Sequence, residues 1–226
     1  MIKLIIFDWD DVFALGAKTG YFKCYHETLV DLDVHLDPEE EKRRILEKWS
    51  KPHREELRGL LKENPHLLDN ACKIYEEKLF GNTFVDCLEP VEGSIELVKK
   101  LQKKYILCVA TGVHPTILKD KVMPKFNFPQ VFTETVSSYD IDDIEKQKPH
   151  PHMVEQMLAK QKIQANEAIL VGDAKGDVLM ARAAGVEPIV VLTGHLSREE
   201  AEELNVKHII DDVTHLEKVL SVLNDS

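Results

Sequence analysis

Three polar residues close three short apolar runs. Asp8 follows Leu4-Ile5-Ile6-Phe7, Thr111 follows Leu107-Cys108-Val109-Ala110, and Asp173 follows Ile169-Leu170-Val171-Gly172. Apolar runs of this length, separated by segments with helical periodicity, read as strands buried on both faces, and such strands belong to parallel sheets covered by helices. In an open parallel sheet the carboxyl ends of the strands form one rim, where ligands bind. The pattern therefore predicts an α/β chain whose sequence-distant polar residues meet at a single site.

Strand-length runs fall at 2–7, 105–110, 168–171 and 188–192, with further strands expected at 131–136 and 206–210. Between about 14 and 87 the alternation stops. Helical patterns recur there at 21–32, 38–50, 54–61 and 69–80 with no clear strand among them. The expected organisation is a catalytic core of 1–13 and 88–226, interrupted by a helical insertion of 14–87. With 226 residues the chain is long enough for one full core and a small accessory domain.

Forty acids against 29 Lys and Arg give a formal charge of -11, which disfavours nucleic acid and anionic membrane surfaces as partners. Cys24, Cys72, Cys87 and Cys108 form no Cys-x-x-Cys pair and read as buried reduced thiols, which points to a cytoplasmic location. The apolar run 4–7 is too short for a signal-peptide core, and no later stretch has the length of a membrane span.

Asp8, Asp10, Asp173 and Asp177 would gather several negative charges at the rim, an arrangement that calls for a cation. Oxygen-only ligands select a hard ion, and magnesium fits because it shares its shell with waters and a substrate phosphate. No Cys or His cluster has zinc spacing. Lys148, in Gln147-Lys148-Pro149, supplies a positive charge for a developing phosphoryl charge or for the nucleophile. Thr111 and the Gly112 amide supply closely approaching donors for phosphate oxygens.

The ordered set Asp8-Trp9-Asp10-Asp11-Val12, Thr111-Gly112, Lys148-Pro149 and Gly172-Asp173-Ala174-Lys175-Gly176-Asp177 resembles the four motifs of the haloacid dehalogenase superfamily. The insertion after the first motif is similar to the helical cap of its phosphoglycolate-phosphatase-like and sugar-phosphomutase-like branch. The resemblance implies a Rossmann-like core, with Asp8 as nucleophile, Asp10 as general acid and base, and Thr111 and Lys148 as stabilisers of phosphate charge. It also implies magnesium at Asp8, the Asp10 carbonyl and Asp173, with Asp177 outside that shell or holding Lys148. Asp11 stands where many members have Gly. Asp10 argues for phosphoryl transfer, since members that cleave carbon–halogen or carbon–phosphorus bonds lack an acid two residues past the nucleophile.

The expected activity is thus magnesium-dependent hydrolysis of a small phosphorylated metabolite through an aspartyl phosphate, in a monomer or small homo-oligomer. A sugar phosphomutase would carry the same motifs. A receiver-like phosphoacceptor module also combines paired acids, Thr, Lys and magnesium, but lacks a long helical insertion and takes its acceptor from a later strand. A silent binding protein is disfavoured because every motif residue is present. Between 42 and 62 there are eight Lys or Arg against three Glu, and Lys51, Arg54 and Arg58 would share a face of one continuous helix. They could read a second anionic group on the substrate, or lie on a solvated face paired with Glu47, Glu55 and Glu56. His114, His150 and His152 lie near motifs and receive no role.

Overall fold

The computed structural model describes residues 1–49 and 52–225. They divide into two compact units, one of Met1–Leu15 with Glu89–Ser226 and the other of Gly16–Leu88. The first unit opens with β1 (Leu4–Phe7) and the two-residue β2 (Ala14–Leu15).

The second unit is helical: α1 (Ala17–Asp31), α2 (Pro38–Glu47), α3 (His53–Leu60) and α4 (Leu68–Phe80). The start of α2 shows why the chain turns helical there. Asp37 Oδ1 accepts the amides of Glu39 and Glu40 at 3.0 and 3.3 Å, Pro38 occupies the first helical position, and Glu39, Glu40 and Glu41 oppose the positive end of the dipole. Tyr25 stacks on Tyr75 at 4.4 Å and donates its hydroxyl to the buried carboxylate of Glu56. Arg44 is also buried, bonded to Glu40, Glu63 and the Leu60 carbonyl. Gly20 permits a close crossing, since a Cβ there would meet Phe84 Cδ2 at 2.8 Å.

The chain returns to the first unit through β3 (Glu89–Pro90), α5 (Ser94–Leu101), β4 (Ile106–Thr111) and α6 (Pro115–Ile117). A π turn, Leu118–Val122, leads to α7 (Met123–Lys125), β5 (Glu134–Ser137), α8 (His152–Gln161), β6 (Ala168–Gly172) and α9 (Lys175–Ala183). The last elements are β7 (Glu187–Val191), α10 (Arg198–Glu203), β8 (His208–Ile210) and α11 (Leu216–Asp225).

Six strands form one sheet in the order β5-β4-β1-β6-β7-β8, with every pairing parallel. The expected α/β class is therefore what the chain adopts. Because side chains alternate across a strand, Leu4 and Ile6, Cys108 and Ala110, and Ala168 and Leu170 share one face, packed with Met153 and Met157 of α8 and Met180 of α9. Each fully buried aliphatic side chain of this kind stabilises the fold by about 1.5–3 kcal/mol. Two departures from the sequence reading are small. Thr111 is the last residue of β4 rather than the residue after it. Ala14–Leu15 pairs antiparallel with Glu89–Pro90 and belongs to the sheet-bearing unit, although the sequence offered no strand there. Two residues are too few for period-2 alternation to register.

Cys24, Cys72 and Cys108 are buried and Cys87 half-buried, all as free thiols. Burial raises the thiols of Cys24 and Cys108 to about 12. Among the described residues no helix is long and apolar enough to cross a membrane.

Candidate active site

The middle of the sheet sets the site. β1 lies between β4 and β6, with Phe7 opposite Val109 on one side and Val171 on the other. Asp8 therefore leaves β1 beside the end of β4, which carries Thr111, and the end of β6, which leads to Asp173. The Asp8 amide completes the ladder by donating to the Val171 carbonyl at 2.8 Å.

The turn after Asp8 is tight. Phe13 and Asp11 donate backbone N–H groups to the carbonyls of Trp9 and Ala14 at 2.9 and 2.8 Å, and Asp11 adopts φ 53. This is the left-handed region that Gly prefers and that Asp tolerates better than most residues. Thr193 donates its hydroxyl to the Asp11 carbonyl. Trp9 turns away from the rim into an aromatic cage with Phe13, Phe128 and Phe132, at centroid distances of 5.4, 4.9 and 6.3 Å. Trp9 is fully buried, and its indole Nε1 has no hydrogen-bond partner among the described residues.

Lys148, in the loop before α8, reaches the rim and bridges two acids. Its Nζ lies 2.9 Å from Asp8 Oδ1 and 2.8 Å from Asp177 Oδ1. Asp177 sits in the first turn of α9, where its Oδ2 accepts the Ala174 amide at 3.2 Å. Gly172 is needed beneath it, since a Cβ there would lie 2.5 Å from Asp177 Cβ. Carboxylate oxygens of Asp8, Asp173 and Asp177 lie within 4.8 Å of one another, and all three residues are buried. Three acceptor-only groups at this separation form a donor set suited to a hard divalent cation.

Burial pushes the Asp8 carboxyl up to about 7; Lys148 opposes the shift, while Asp177 and Asp173 add to it. Asp10 is raised well above the ordinary carboxyl range, first by burial and then by the negative charges of Asp8, Asp11 and Asp173. For Lys148, burial works against the charge, but Asp177 and Asp8 outweigh it and hold the ammonium protonated above its usual range.

At the end of β4, Thr111 is fully buried and its Oγ1 accepts the Val113 amide at 3.1 Å, leaving its hydroxyl proton available to donate. Ser137, paired with Thr111 across β4 and β5, donates to the Val113 carbonyl at 2.7 Å and fixes the loop. A Cβ built on Gly112 would meet nothing within 4 Å. The backbone there borders open space, as a cradle for a small anion requires.

Of the seven residues expected at the site, Asp8, Asp10, Thr111, Gly112, Lys148 and Asp173 lie at the carboxyl ends of β1, β4 and β6 or in the loops that reach them, and Asp177 lies in the first turn of α9, the helix that follows β6. The sequence reading missed His195. Its Nδ1 lies 2.7 Å from Asp173 Oδ2. The strand-exit rule that singled out Asp8 applies equally to Thr193-Gly194-His195, just past β7. Of the other histidines, His114 Nδ1 accepts the Thr116 amide at the start of α6, and His150 Nδ1 accepts the His152 amide.

Among the described residues, several cations of the basic segment are paired. Arg54 bonds Asp69, Arg58 pairs with Glu55, and Arg43 spans Glu40 and Glu47. Glu56 is buried against Tyr25 rather than solvated, and Lys51 lies outside the described residues.

Comparison with known proteins finds related sequences and folds. The chain is 27% identical over 152 residues to a phosphoglycolate phosphatase of Haemophilus influenzae, a match covering 67% of this chain and 61% of that protein. It is 32% identical over 106 residues to the pyrophosphatase PpaX of Halalkalibacterium halodurans, covering 46% and 47% of the two. A haloacid dehalogenase-like family hydrolase from Streptococcus pneumoniae shares the fold, with a TM-score of 0.76 over 97% of this chain and 98% of that one at 17% identity. The family model for haloacid dehalogenase-like hydrolases matches residues 5–191, and the chain belongs to that family.

Proposed function

We propose that the protein hydrolyses a small phosphomonoester with magnesium, through a phosphoryl group carried transiently on Asp8. The observation that carries the reading is the placing of Asp8: its carboxylate is buried at the middle of the rim, 2.9 Å from the Lys148 ammonium and within 4.8 Å of the carboxylate oxygens of Asp173 and Asp177. Magnesium would be held by Asp8, Asp173 and the Asp10 carbonyl, with Asp177 occupied in holding Lys148. When bound, it supplies positive charge to the phosphoryl oxygens and to the attacking carboxylate.

In this reading Asp8 attacks phosphorus in line while the bond to the leaving oxygen breaks. Asp10, whose environment favours the protonated carboxyl, gives its proton to that leaving oxygen. The resulting Asp10 carboxylate takes a proton from water as the water opens the acyl phosphate, which returns both acids to their starting states and releases inorganic phosphate. Lys148 holds the Asp8 side chain and offsets charge on the transferring group. Thr111 and the Gly112 amide bind its oxygens. The similarity to proteins named phosphoglycolate phosphatase and pyrophosphatase favours a small, doubly anionic substrate. The helical unit Gly16–Leu88 is the part we assign to substrate selection.

The test is a panel of sugar phosphates, phosphoglycolate, nucleotides and pyrophosphate incubated with magnesium and scored for released phosphate. Phosphate should appear in step with ester consumed. Turnover that depends on an added sugar bisphosphate and releases no phosphate would instead select the phosphomutase.

A further inference from the structure

We propose that His195 is a positioning residue for Asp173: it holds one oxygen of that carboxylate so that the other is presented to the metal, an inference that rests on the metal site proposed above. Asp173 leaves β6 at the rim and is only 2% exposed. Its Oδ2 accepts the His195 backbone N–H at 2.9 Å and faces the His195 Nδ1 at 2.7 Å. A carboxylate oxygen only accepts, so Nδ1 carries its proton toward it. The Leu196 amide donates to the Asp173 carbonyl at 2.9 Å, which pins the backbone as well. The loop after β7 thus grips Asp173 at three points, and none of them uses Oδ1.

Gly194 makes the grip possible. A Cβ there would lie 2.0 Å from Asp173 Oδ2, inside any permissible contact, so the chain passes this close only where that residue has no side chain. With Oδ2 bonded twice, rotation of the carboxylate is arrested and Oδ1 keeps one direction. Such outer partners commonly govern metal affinity by about 10- to 100-fold.

Direct ligation by the imidazole is the competing role. The ligating atoms of Asp11, Asp173 and His195 do lie within 4.8 Å of one another. A bond from Nδ1 to a metal would, however, require that nitrogen to give up its proton and its 2.7 Å contact with Asp173, whereas positioning uses the geometry as it stands.

The test is isothermal titration of the intact protein with magnesium and, separately, with manganese, for wild type, His195→Ala, His195→Asn and His195→Gln, without substrate. The Asn side-chain nitrogen sits at the same bond count from Cα as Nδ1, and the Gln nitrogen does not. His195→Ala and His195→Gln should bind both metals about 10-fold more weakly, and His195→Asn should recover most of the loss. Melting curves in chelator check that each variant is folded. Unchanged affinity in a folded His195→Ala overturns the proposal. So does a loss confined to manganese with no rescue by Asn, which would make His195 a ligand. A wild type that binds neither metal removes the metal site itself, a failure distinct from the first two.

Discussion

At the residue scale, the site sets charge against burial. An Asp8→Asn substitution keeps shape and removes the nucleophile, so we expect turnover to fall below detection while circular dichroism stays unchanged; activity of even a few per cent in uncontaminated protein would rule Asp8 out. The same substitution tests the electrostatics. A carboxyl raised from 3.8 to about 7 binds its proton more tightly folded than unfolded, so it costs stability increasingly as pH climbs from about 4 to about 7. In chelator, Asp8→Asn should therefore melt above wild type by about 5 °C or more at pH 8, and close to it only near pH 4. A variant less stable than wild type at pH 8 would contradict the burial argument. Two glycines separate structure from chemistry. Gly194→Ala drives a Cβ into Asp173 and should lower the melting temperature, whereas Gly112→Ala points into open space and should leave it within about 1 °C while impairing phosphate binding. Steady-state kinetics and melting curves on both variants check this, and a stable Gly194→Ala would sink the crowding argument.

Single residues owe their places to the elements that carry them, and here the sequence was unevenly legible. β1, β4 and β6 could be read because each is a run of buried residues ended by a polar one, and that contrast also located Asp8, Thr111 and Asp173. The antiparallel pairing of Ala14–Leu15 with Glu89–Pro90 could not be read, because it is two residues long and its partners are far apart in sequence. His195 escaped for a different reason: it lies four residues past the end of β7 rather than directly at it, and its neighbours carry no charge pattern. Basic residues between 42 and 62 were visible as an excess, but which were buried was not. Arg44, enclosed by Glu40, Glu63 and the Leu60 carbonyl, should cost about 2–4 kcal/mol when replaced by Ala, because its partners lose a buried cation. Arg58, exposed beside Glu55, should cost less than about 1 kcal/mol. Denaturant titration of both variants decides, and equal effects would refute the distinction.

For the whole molecule, the proposed chemistry demands a cation of small radius. Magnesium should support turnover and calcium should not, because the longer, looser calcium shell misplaces Asp8 against phosphorus. Full activity in excess chelator would remove the reason for gathering Asp8, Asp173 and Asp177. The division into two units has a further use. The chain has two tryptophans, and each unit holds one: Trp9 in the sheet-bearing unit and Trp49 among the helices. An indole shut in a phenylalanine cage without a polar partner emits at the blue end of its range, so a Trp49→Phe protein should fluoresce blue until the sheet unit opens, while Trp9→Phe leaves a reporter on the helices alone. Optical melting of those two proteins would follow each half of the molecule separately, with no label added.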